Sequence, residues 1–325
     1  MKGRYGMTTS NLQMPDGILL IDKPSGMTSH DVVFRVRRLM GTKKVGHTGT
    51  LDPMATGVLV VLVGRAAKAA EYVSHDEKTY EATLRIGMTT DTEDTTGQVL
   101  TYAGKLPPRD KLDVKLGDVL PRFKGEILQV PPMYSALKVN GQKLCDLARR
   151  GETVERTPRA VTVREITAMP LSSEDNADDT VADYKLTATV SGGTYIRTLC
   201  ADIGAAVGYG GVMASLRRTM ASGFSIDGCH TLDELEAMST EERYACLLPV
   251  ESLFKYLPSL SLPTFFLTLC RNGCEIYQHK LGTAYPTGTR IRLADDKGQF
   301  FALGEVREYP EGSAIKAIKL FRLDN

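Results

Sequence analysis

The sequence predicts a chain that mixes helices with strands and ends in a small all-β domain. Apolar residues alternate over Lys78–Ile86 and again over residues 181–191, which indicates two half-buried strands. Ser29 is the predicted N-cap of an amphipathic helix, because an apolar stripe follows it and stops at Gly41. Beyond Leu257 the pattern changes to short apolar runs between Gly and Pro turns, which is typical of a small β-barrel.

The remaining elements follow from apolar runs and from the residues that interrupt them. Strands are predicted over residues 16–23 and from Gly57 onward, because each segment carries a continuous apolar run. Helices are predicted over residues 142–150 and 195–207, next to glycines that interrupt the chain. A domain boundary is expected near residues 250–259. Segments rich in turn residues or charge predict surface loops over residues 24–26, 46–53, 131–136 and 175–179.

Composition excludes several broad classes of protein. The 325 residues include 40 Lys and Arg against 39 Asp and Glu, and the formal charge of +1 rules out a globally basic nucleic-acid coat protein. The longest apolar run, residues 58–63, is far shorter than the roughly 20 residues that cross a bilayer. Residues 1–15 predict a polar, flexible leader. The 6 scattered cysteines argue against a disulfide framework and for a reducing cytoplasm.

The sharpest feature of the sequence is the charge pattern around one aspartate. No acidic residue lies between Asp31 and Asp52, and this basic segment contains Arg35, Arg37, Arg38, Lys43 and Lys44. Asp52 ends the segment in a loop rich in Gly and Thr, directly before Pro53. An Asx turn is one interpretation of this aspartate, and a reactive carboxylate that faces a polyanion is the other. Composition alone favours the turn.

The full motif around Asp52 favours the reactive carboxylate. Residues 46–57 read GHTGTLDPMATG and closely resemble the active-site motif of the TruB family of tRNA pseudouridine synthases. Further segments similar to motifs of this family recur in order: Lys23-Pro24-Ser25-Gly26 with Ser29, Lys78-Thr79-Tyr80, residues 131–138 with Ala148-Arg149 and Gly151-Glu152, residues 193–199, and Leu216-Arg217-Arg218-Thr219. The tail beyond them is similar to the PUA-type RNA-binding domain.

The resemblance implies an α+β fold, the pseudouridine synthase fold, with a mixed and largely antiparallel catalytic sheet and flanking helices. It implies a catalytic domain over residues 16–253 with an RNA-gripping insertion at about residues 129–160, and a PUA-like β-barrel over residues 257–325. Val45 departs from the family pattern, which has a second glycine before the histidine in addition to Gly46, and Cys145 departs from a position that is usually aromatic. Neither departure removes a catalytic group, and both bear on the grip on RNA.

The resemblance also implies the reaction. The family breaks the C1′–N1 bond of a uridine, turns the base and joins C1′ to C5, an isomerisation that needs no cofactor and no metal. Asp52 is the implied catalyst, and attack on C1′, attack on the base and removal of the 2′ proton all stay open. Arg197 is the implied partner that holds this carboxylate charged and oriented. Tyr80 is implied to stack on the uracil, although its phase in the strand also fits a core residue.

Other residues are implied contacts of the flipped base or of the RNA. His47 is the candidate that fills the stack vacated by the flipped base, against the alternative of a purely structural histidine. Leu216 is expected to line the base pocket, and Lys23 to support its floor rather than to act in catalysis. The remaining candidates for contact with RNA are Tyr195, Arg149 and Arg218.

The sequence thus predicts an isomerase that modifies the T-loop uridine of tRNA, at position 55, as a monomer with no protein partner and no membrane. A catalytically silent tRNA chaperone of the same fold is disfavoured because Asp52, Tyr80 and Arg197 are intact. A guide-RNA-dependent pseudouridylase ranks lower, because the insertion lets the enzyme grip RNA itself. A metal-dependent nuclease usually needs clustered carboxylates, and none surrounds Asp52 in the sequence.

Overall fold

The computed structural model describes residues 15–73, 77–139, 141–171 and 180–321. Residues 1–14 of the predicted leader and the predicted acidic loop at residues 175–179 lie outside the described residues. Within the described ranges, no helix is both long enough and apolar enough to cross a membrane.

Strands and helices alternate along the chain. The strands, in chain order, are β1 (Gly17–Lys23), β2 (Val45–His47), β3 (Thr56–Val63), β4 (Lys78–Ile86), β5 (Met88–Thr90), β6 (Val99–Tyr102), β7 (Gly125–Gln129), β8 (Lys138–Val139), β9 (Gln142–Lys143), β10 (Arg159–Pro170), β11 (Ala182–Val190), β12 (Gly211–Ala221), β13 (Phe224–Ser225), β14 (Ser259–Ser261), β15 (Ile276–Tyr277), β16 (Arg290–Ala294), β17 (Phe300–Tyr309) and β18 (Gly312–Leu320). The α-helices are α1 (Ser29–Leu39), α2 (Ala70–Val73), α3 (Arg109–Val119), α4 (Leu144–Arg149), α5 (Ile196–Val207), α6 (Leu232–Ala237), α7 (Thr240–Ala245), α8 (Thr264–Arg271) and α9 (Gln278–Leu281). Short 3₁₀ helices cover Gly64–Ala69, Leu120–Phe123, Ile226–Gly228 and Val250–Phe254.

The larger sheet of the described chain has the strand order β1-β3-β12-β4-β11-β10-β7, with β2 paired to β3 and β13 paired to β12. Its strand pairs are antiparallel apart from β12 with β3, which run parallel. This is the mixed α+β sheet that the sequence predicts, and the strands expected from alternation are present as β4 and β11. The parallel pair places the start of β3 beside the middle of β12, so residues far apart in sequence meet at the centre of the sheet.

Helix α1 begins one residue earlier than its predicted cap implies. Thr28, not Ser29, is the N-cap, because the Thr28 side chain accepts from the backbone N–H of Asp31 and the Asp31 carboxylate accepts from the backbone N–H of Thr28. The hydroxyl of Ser29 instead accepts from the backbone N–H of Leu51 at 2.8 Å and donates to its carbonyl at 3.1 Å. The helix start is thereby fixed to the loop that carries Asp52.

The C-terminal region forms a second sheet, with the order β14-β16-β17-β18-β15 among the described strands. The expectation of an all-β tail is wrong in one respect, because α8 and α9 lie between its strands. Helix α8 forms because Leu267 and Cys270, three residues apart, both bury against the core of this sheet. Rings of Phe254, Phe300 and Phe321 lie 5.5 to 6.1 Å apart and join the two sheets through a shared core.

Helix α5 lies directly against β12, because two glycines meet at the contact. A Cβ atom at Gly204 would lie 2.2 Å from the backbone nitrogen of Gly211. Gly117, also inside a helix, has open space where its Cβ would be. The close approach of α5 therefore depends on Gly204.

Replacing each of these helical glycines by alanine should change stability in opposite directions. Gly204→Ala should lower the free energy of unfolding by about 2 kcal/mol or more, because the new methyl overlaps the backbone of β12. Gly117→Ala should raise it by about 0.5–1 kcal/mol through helix propensity. Urea unfolding of both variants tests the pair, and a Gly204→Ala protein as stable as the wild type would contradict the packing argument.

Candidate active site

The loop between β2 and β3, which carries Asp52, is held from beneath by a buried lysine. The ammonium group of Lys23 donates to the backbone carbonyls of Pro24 at 2.9 Å, Pro53 at 3.2 Å and Ala55 at 2.6 Å. Burial lowers the pKa of Lys23 to about 8, although the negative charge of Asp52 opposes this shift. Lys23 thus lies under the loop, and none of its surface is exposed. Its support of the floor of a base pocket stays a prediction.

Arg218 holds the same loop from its other end. Its guanidinium is buried and donates to the carbonyls of Val58 at 2.7 Å, Gly49 at 3.1 Å and Thr50 at 3.4 Å. The sequence suggested a phosphate contact for Arg218, and this placement argues against it, because three backbone acceptors already surround the group away from solvent. Its role in the structure is to fix the loop.

Asp52 and Arg197 meet across 145 residues of sequence. Nε of Arg197 lies 2.9 Å from Oδ2 of Asp52, and Nη2 lies 3.5 Å from Oδ1. The Arg197 side chain is 6% exposed, whereas that of Asp52 is 37% exposed. A buried cation therefore orients a carboxylate that stands open to solvent, which is the arrangement that a reactive carboxylate requires.

A second carboxylate shares Arg197, and the sequence analysis missed it. Oδ2 of buried Asp94 lies 3.8 Å from Nε of Arg197, and Oδ1 accepts from the hydroxyls of Thr92 and Thr96. Arg197 also donates to the carbonyl of Thr92 at 3.0 Å and to that of Tyr134 at 2.8 Å. The run of Asp, Thr and Gly over residues 91–97 is typical of a turn, but no local feature of the sequence links this turn to Arg197.

Glu93, in the same turn, anchors it to helix α5. Its backbone has φ of 64°, a left-handed conformation that is uncommon for a residue with a side chain. The hydroxyl of Thr198 donates to its carboxylate at 2.5 Å, and burial raises the pKa of Glu93. The strained turn is therefore bonded to the residue that follows Arg197 in the chain.

Tyr80 and Leu216 lie in one apolar cluster beside the Asp52 loop. Both are buried, and the cluster also contains Leu51 and Ala55 of that loop. Tyr80 on β4 is paired across the sheet with Arg218 on β12. The structure thus brings Tyr80 and Leu216 close to the loop, and their contact with a uracil stays a prediction.

His47 is a neutral, half-buried imidazole at the end of β2. Burial lowers its pKa, and the positive charge of Arg218 adds to the shift, so the ring is uncharged at pH 7. Among the described residues, none forms a hydrogen bond with its buried Nδ1 atom. A purely structural histidine normally has such a bond when buried, and the stacking of His47 on RNA stays a prediction.

The remaining predicted RNA contacts lie apart from one another. Tyr195 is the N-cap of α5, two residues before Arg197, and burial raises the pKa of its half-buried phenol. Arg149 lies at the exposed end of α4 and forms an ion pair with Asp146 at 3.1 Å. Within the basic segment, Nε of Arg35 forms an ion pair with Oε1 of Glu236 at 2.6 Å. The exposed cations of the segment are Arg38, Lys43 and Lys44.

In the part of the chain that the structure describes, no three His, Cys, Asp or Glu side chains come together as metal ligands. The polar groups that converge are instead the carboxylates of Asp52 and Asp94 on Arg197. They provide a charged, oriented oxygen beside an apolar wall.

Comparison with known proteins places this site in a family. The model described as "TruB family pseudouridylate synthase (N terminal domain)" matches residues 37–196, and "tRNA pseudouridylate synthase B C-terminal domain" matches residues 197–255. The tRNA pseudouridine synthase B of Bacillus subtilis is 41% identical over 293 residues, which cover 89% of this chain and 93% of the relative. That of Thermobifida fusca is 47% identical over 245 residues, which cover 74% of this chain and 82% of the relative.

The fold is also similar to that of solved structures. A structure described as "Crystal Structure of a Cbf5-Nop10-Gar1 Complex" matches with a TM-score of 0.67 at 24% identity, over 95% of this chain and 86% of that chain. At this identity the likeness concerns the fold alone, and it extends over the catalytic sheet and the C-terminal sheet.

The buried position of Lys23 predicts a dependence of stability on pH. An unfolded lysine keeps its proton up to about pH 10.5, whereas folded Lys23 loses it near pH 8, so its contribution to the free energy of unfolding rises between these values. Lys23→Met removes this contribution. Guanidinium unfolding of both proteins from about pH 7 to about pH 10 should show the wild type gaining stability relative to the variant as pH rises. Parallel curves would contradict the assignment.

Proposed function

The chain belongs to the TruB family of pseudouridylate synthases, and from this premise we propose that its substrate is tRNA and its target the T-loop uridine at position 55. The observation that carries the proposal is the carboxylate of Asp52, held by buried Arg197 at the open side of an apolar cluster. The curated relatives that match most of the chain carry the name tRNA pseudouridine synthase B, which supports tRNA as the substrate.

Asp52 is proposed as the catalytic residue. In the isomerisation the C1′–N1 bond breaks, the C1′–C5 bond forms, C5 loses a proton and N1 gains one, so the product has the atoms of the substrate. Attack on C1′, attack on the base and removal of the 2′ proton each use one carboxylate. Arg197 orients this carboxylate, because its Nη2 donates to Oδ1 at 3.5 Å while its Nε lies 2.9 Å from Oδ2.

Tyr80 and Leu216 are proposed to form the wall on which the uracil lies. Both belong to the apolar cluster that includes Leu51, the residue directly before Asp52. A flipped base that stacks on this wall displaces water from the reacting sugar, which limits hydrolysis. Tyr80 thereby serves the core on one side and the base on the other, which reconciles the two interpretations of its position.

The proposed grip on RNA is distributed over three regions: the insertion at about residues 129–160 with exposed Arg149, the PUA-like region at residues 257–325, and the exposed cations of the basic segment. Phosphate contacts of this kind position an RNA without reading its sequence. Because the insertion belongs to the same chain, we propose that the enzyme acts as a monomer without an obligatory protein partner or guide RNA.

The 6 cysteines are free thiols, which supports the cytoplasm as its location.

The catalytic assignment predicts that Asp52→Asn abolishes pseudouridine formation in an unmodified tRNA transcript. The wild type should form the product in EDTA without guide RNA, and the variant should be slower by at least about 10³-fold. The variant should fold, because Asp94 still compensates the buried charge of Arg197. Binding of tRNA should stay within a few-fold, and Asp118→Asn on the exposed face of α3 is the matched control.

Two outcomes of this experiment would separate the parts of the proposal. Turnover by Asp52→Asn at a rate near that of the wild type would show that another group is the catalyst. Absence of product from the wild type, with tRNA bound, would favour the silent chaperone, and product that appears only with a guide RNA would favour the guided enzyme.

His47 predicts a separate effect on base flipping. His47→Ala should lower the single-turnover rate about tenfold, because one stacking partner is worth about 1–3 kcal/mol per base. His47→Phe should restore part of the rate, since its ring is also flat and uncharged. His47→Ala should lose less of its single-turnover rate on a target uridine in an unstructured RNA loop than on one in folded tRNA. An unchanged rate in His47→Ala would exclude the stacking role.

A further inference from the structure

Gln129, the last residue of β7, pairs with a backbone unit rather than with another side chain. Its Nε2 atom donates to the carbonyl of Tyr195 at 3.0 Å, and its Oε1 atom accepts from the N–H of Tyr195 at 2.8 Å. The side chain is buried, with 2% of its surface exposed. One amide therefore satisfies both polar groups of one residue, in the manner of a rung between strands.

Gln129 and Tyr195 belong to different parts of the protein, the insertion and helix α5. Gln129 is where the sheet ends and the insertion begins, two residues before Pro131. Tyr195 is the N-cap of α5 and has no side-chain cap of its own, and Arg197 lies in the first turn of that helix. The Gln129 amide therefore connects the root of the insertion to the start of the helix that presents Arg197.

Two more hydrogen bonds involve the insertion, one from Arg197 and one between its two ends. Nη2 of Arg197 donates to the carbonyl of Tyr134, inside the insertion, at 2.8 Å. Nη1 of Arg156, at the far end of the insertion, donates to the carbonyl of Pro131 at 2.9 Å. Arg197 is thus tied to the insertion twice, through its own side chain and through the backbone that Gln129 holds.

We propose that Gln129 is a positioning residue. It couples the position of the insertion to the orientation of the Arg197 side chain, and through Arg197 to the orientation of the Asp52 carboxylate. The proposal rests on the proposed function for its kinetic readout. The N-cap residue fixes where a helix begins, so a shift of Tyr195 moves the Arg197 guanidinium relative to the Asp52 carboxylate. Misplacement of a reacting group by about 1 Å costs about 100-fold in rate.

The chain contains a matched control for this pairing. Gln278 is also buried, with 4% of its surface exposed. Its Nε2 donates to the carbonyl of Tyr285 at 3.0 Å, and its Oε1 accepts from the N–H of Tyr285 at 2.7 Å. This second pairing lies in the C-terminal sheet region and has the same two backbone bonds without a link to Arg197. The Gln278 side chain also donates to the hydroxyl of Ser313 at 2.9 Å and accepts from that of Thr283 at 3.4 Å.

The first test compares Gln129→Met with Gln278→Met in single turnover at saturating tRNA. Both variants lose two hydrogen bonds to a tyrosine backbone, and Gln278→Met also loses those with Ser313 and Thr283, so it is the more severe change. We expect only Gln129→Met to slow pseudouridine formation, by about 10- to 100-fold. Its effect should largely vanish in an Arg197→Lys background, because both changes act on the same ion pair. A rate within twofold of the wild type, or effects that multiply independently with Arg197→Lys, would overturn the proposal.

The second test uses Gln129→Glu, which is close to the native shape. A buried carboxylate that faces the Tyr195 carbonyl has a raised pKa, and its protonated form donates and accepts as the native amide does. Activity relative to the wild type should therefore rise as pH falls from about 8 to about 5.5. A ratio that is flat with pH would overturn the proposal, as would failure of both Gln129 variants to fold while Gln278→Met folds.

A spectroscopic test separates this proposal from the proposed function. In protein labelled with ¹⁵N-arginine, the Nε–H signal of Arg197 is assigned by its loss in Arg197→Lys. We expect this signal to shift in Gln129→Met and to stay unchanged in Gln278→Met. A signal unmoved by Gln129→Met would overturn the positioning role. If the wild type makes no pseudouridine, the proposed function fails while this result still decides the role of Gln129.

Discussion

The structure of the site depends on one buried guanidinium. Arg197 is almost fully removed from solvent, where an unpaired cation is costly, so the surrounding chain must supply acceptors in fixed positions. It does so with four groups from three segments: the carboxylates of Asp52 and Asp94 and the carbonyls of Thr92 and Tyr134. The catalytic loop, the turn over residues 91–97, the insertion and α5 are consequently held in one arrangement.

The same logic applies to the loop that carries Asp52. Lys23 and Arg218 are buried beneath it, and each donates to three backbone carbonyls. Charged donors form stronger hydrogen bonds than neutral ones, especially away from water. These cations thus act on the shape of the loop, and Asp52 is the charged group of the loop that reaches the open side.

The sequence predicted the site residues that lie in recognisable local motifs. It did not predict those whose role depends on contacts between distant segments. Alternating apolar residues marked β4 and β11, and the motif around Asp52 pointed to the carboxylate. Asp94 and Gln129 were not predicted, because Gln129 acts on a residue 66 positions away and Asp94 on one about 100 positions away, and spacings of that size have no periodic signature. Arg218 was predicted to contact RNA, whereas in the structure its side chain is buried beside the parallel pair of β12 with β3.

The charge pattern around Asp52 acquires a different meaning once the fold is known. Arg35 in the basic segment forms ion pairs with Asp233 and Glu236, two carboxylates of helix α6. Two carboxylates share Arg197, so the centre of the site is not attractive to a polyanion by itself. The exposed cations of the segment, Arg38, Lys43 and Lys44, provide the compensating positive charge. Attraction of RNA and activation of Asp52 are therefore assigned to different cations, one set exposed and the other buried.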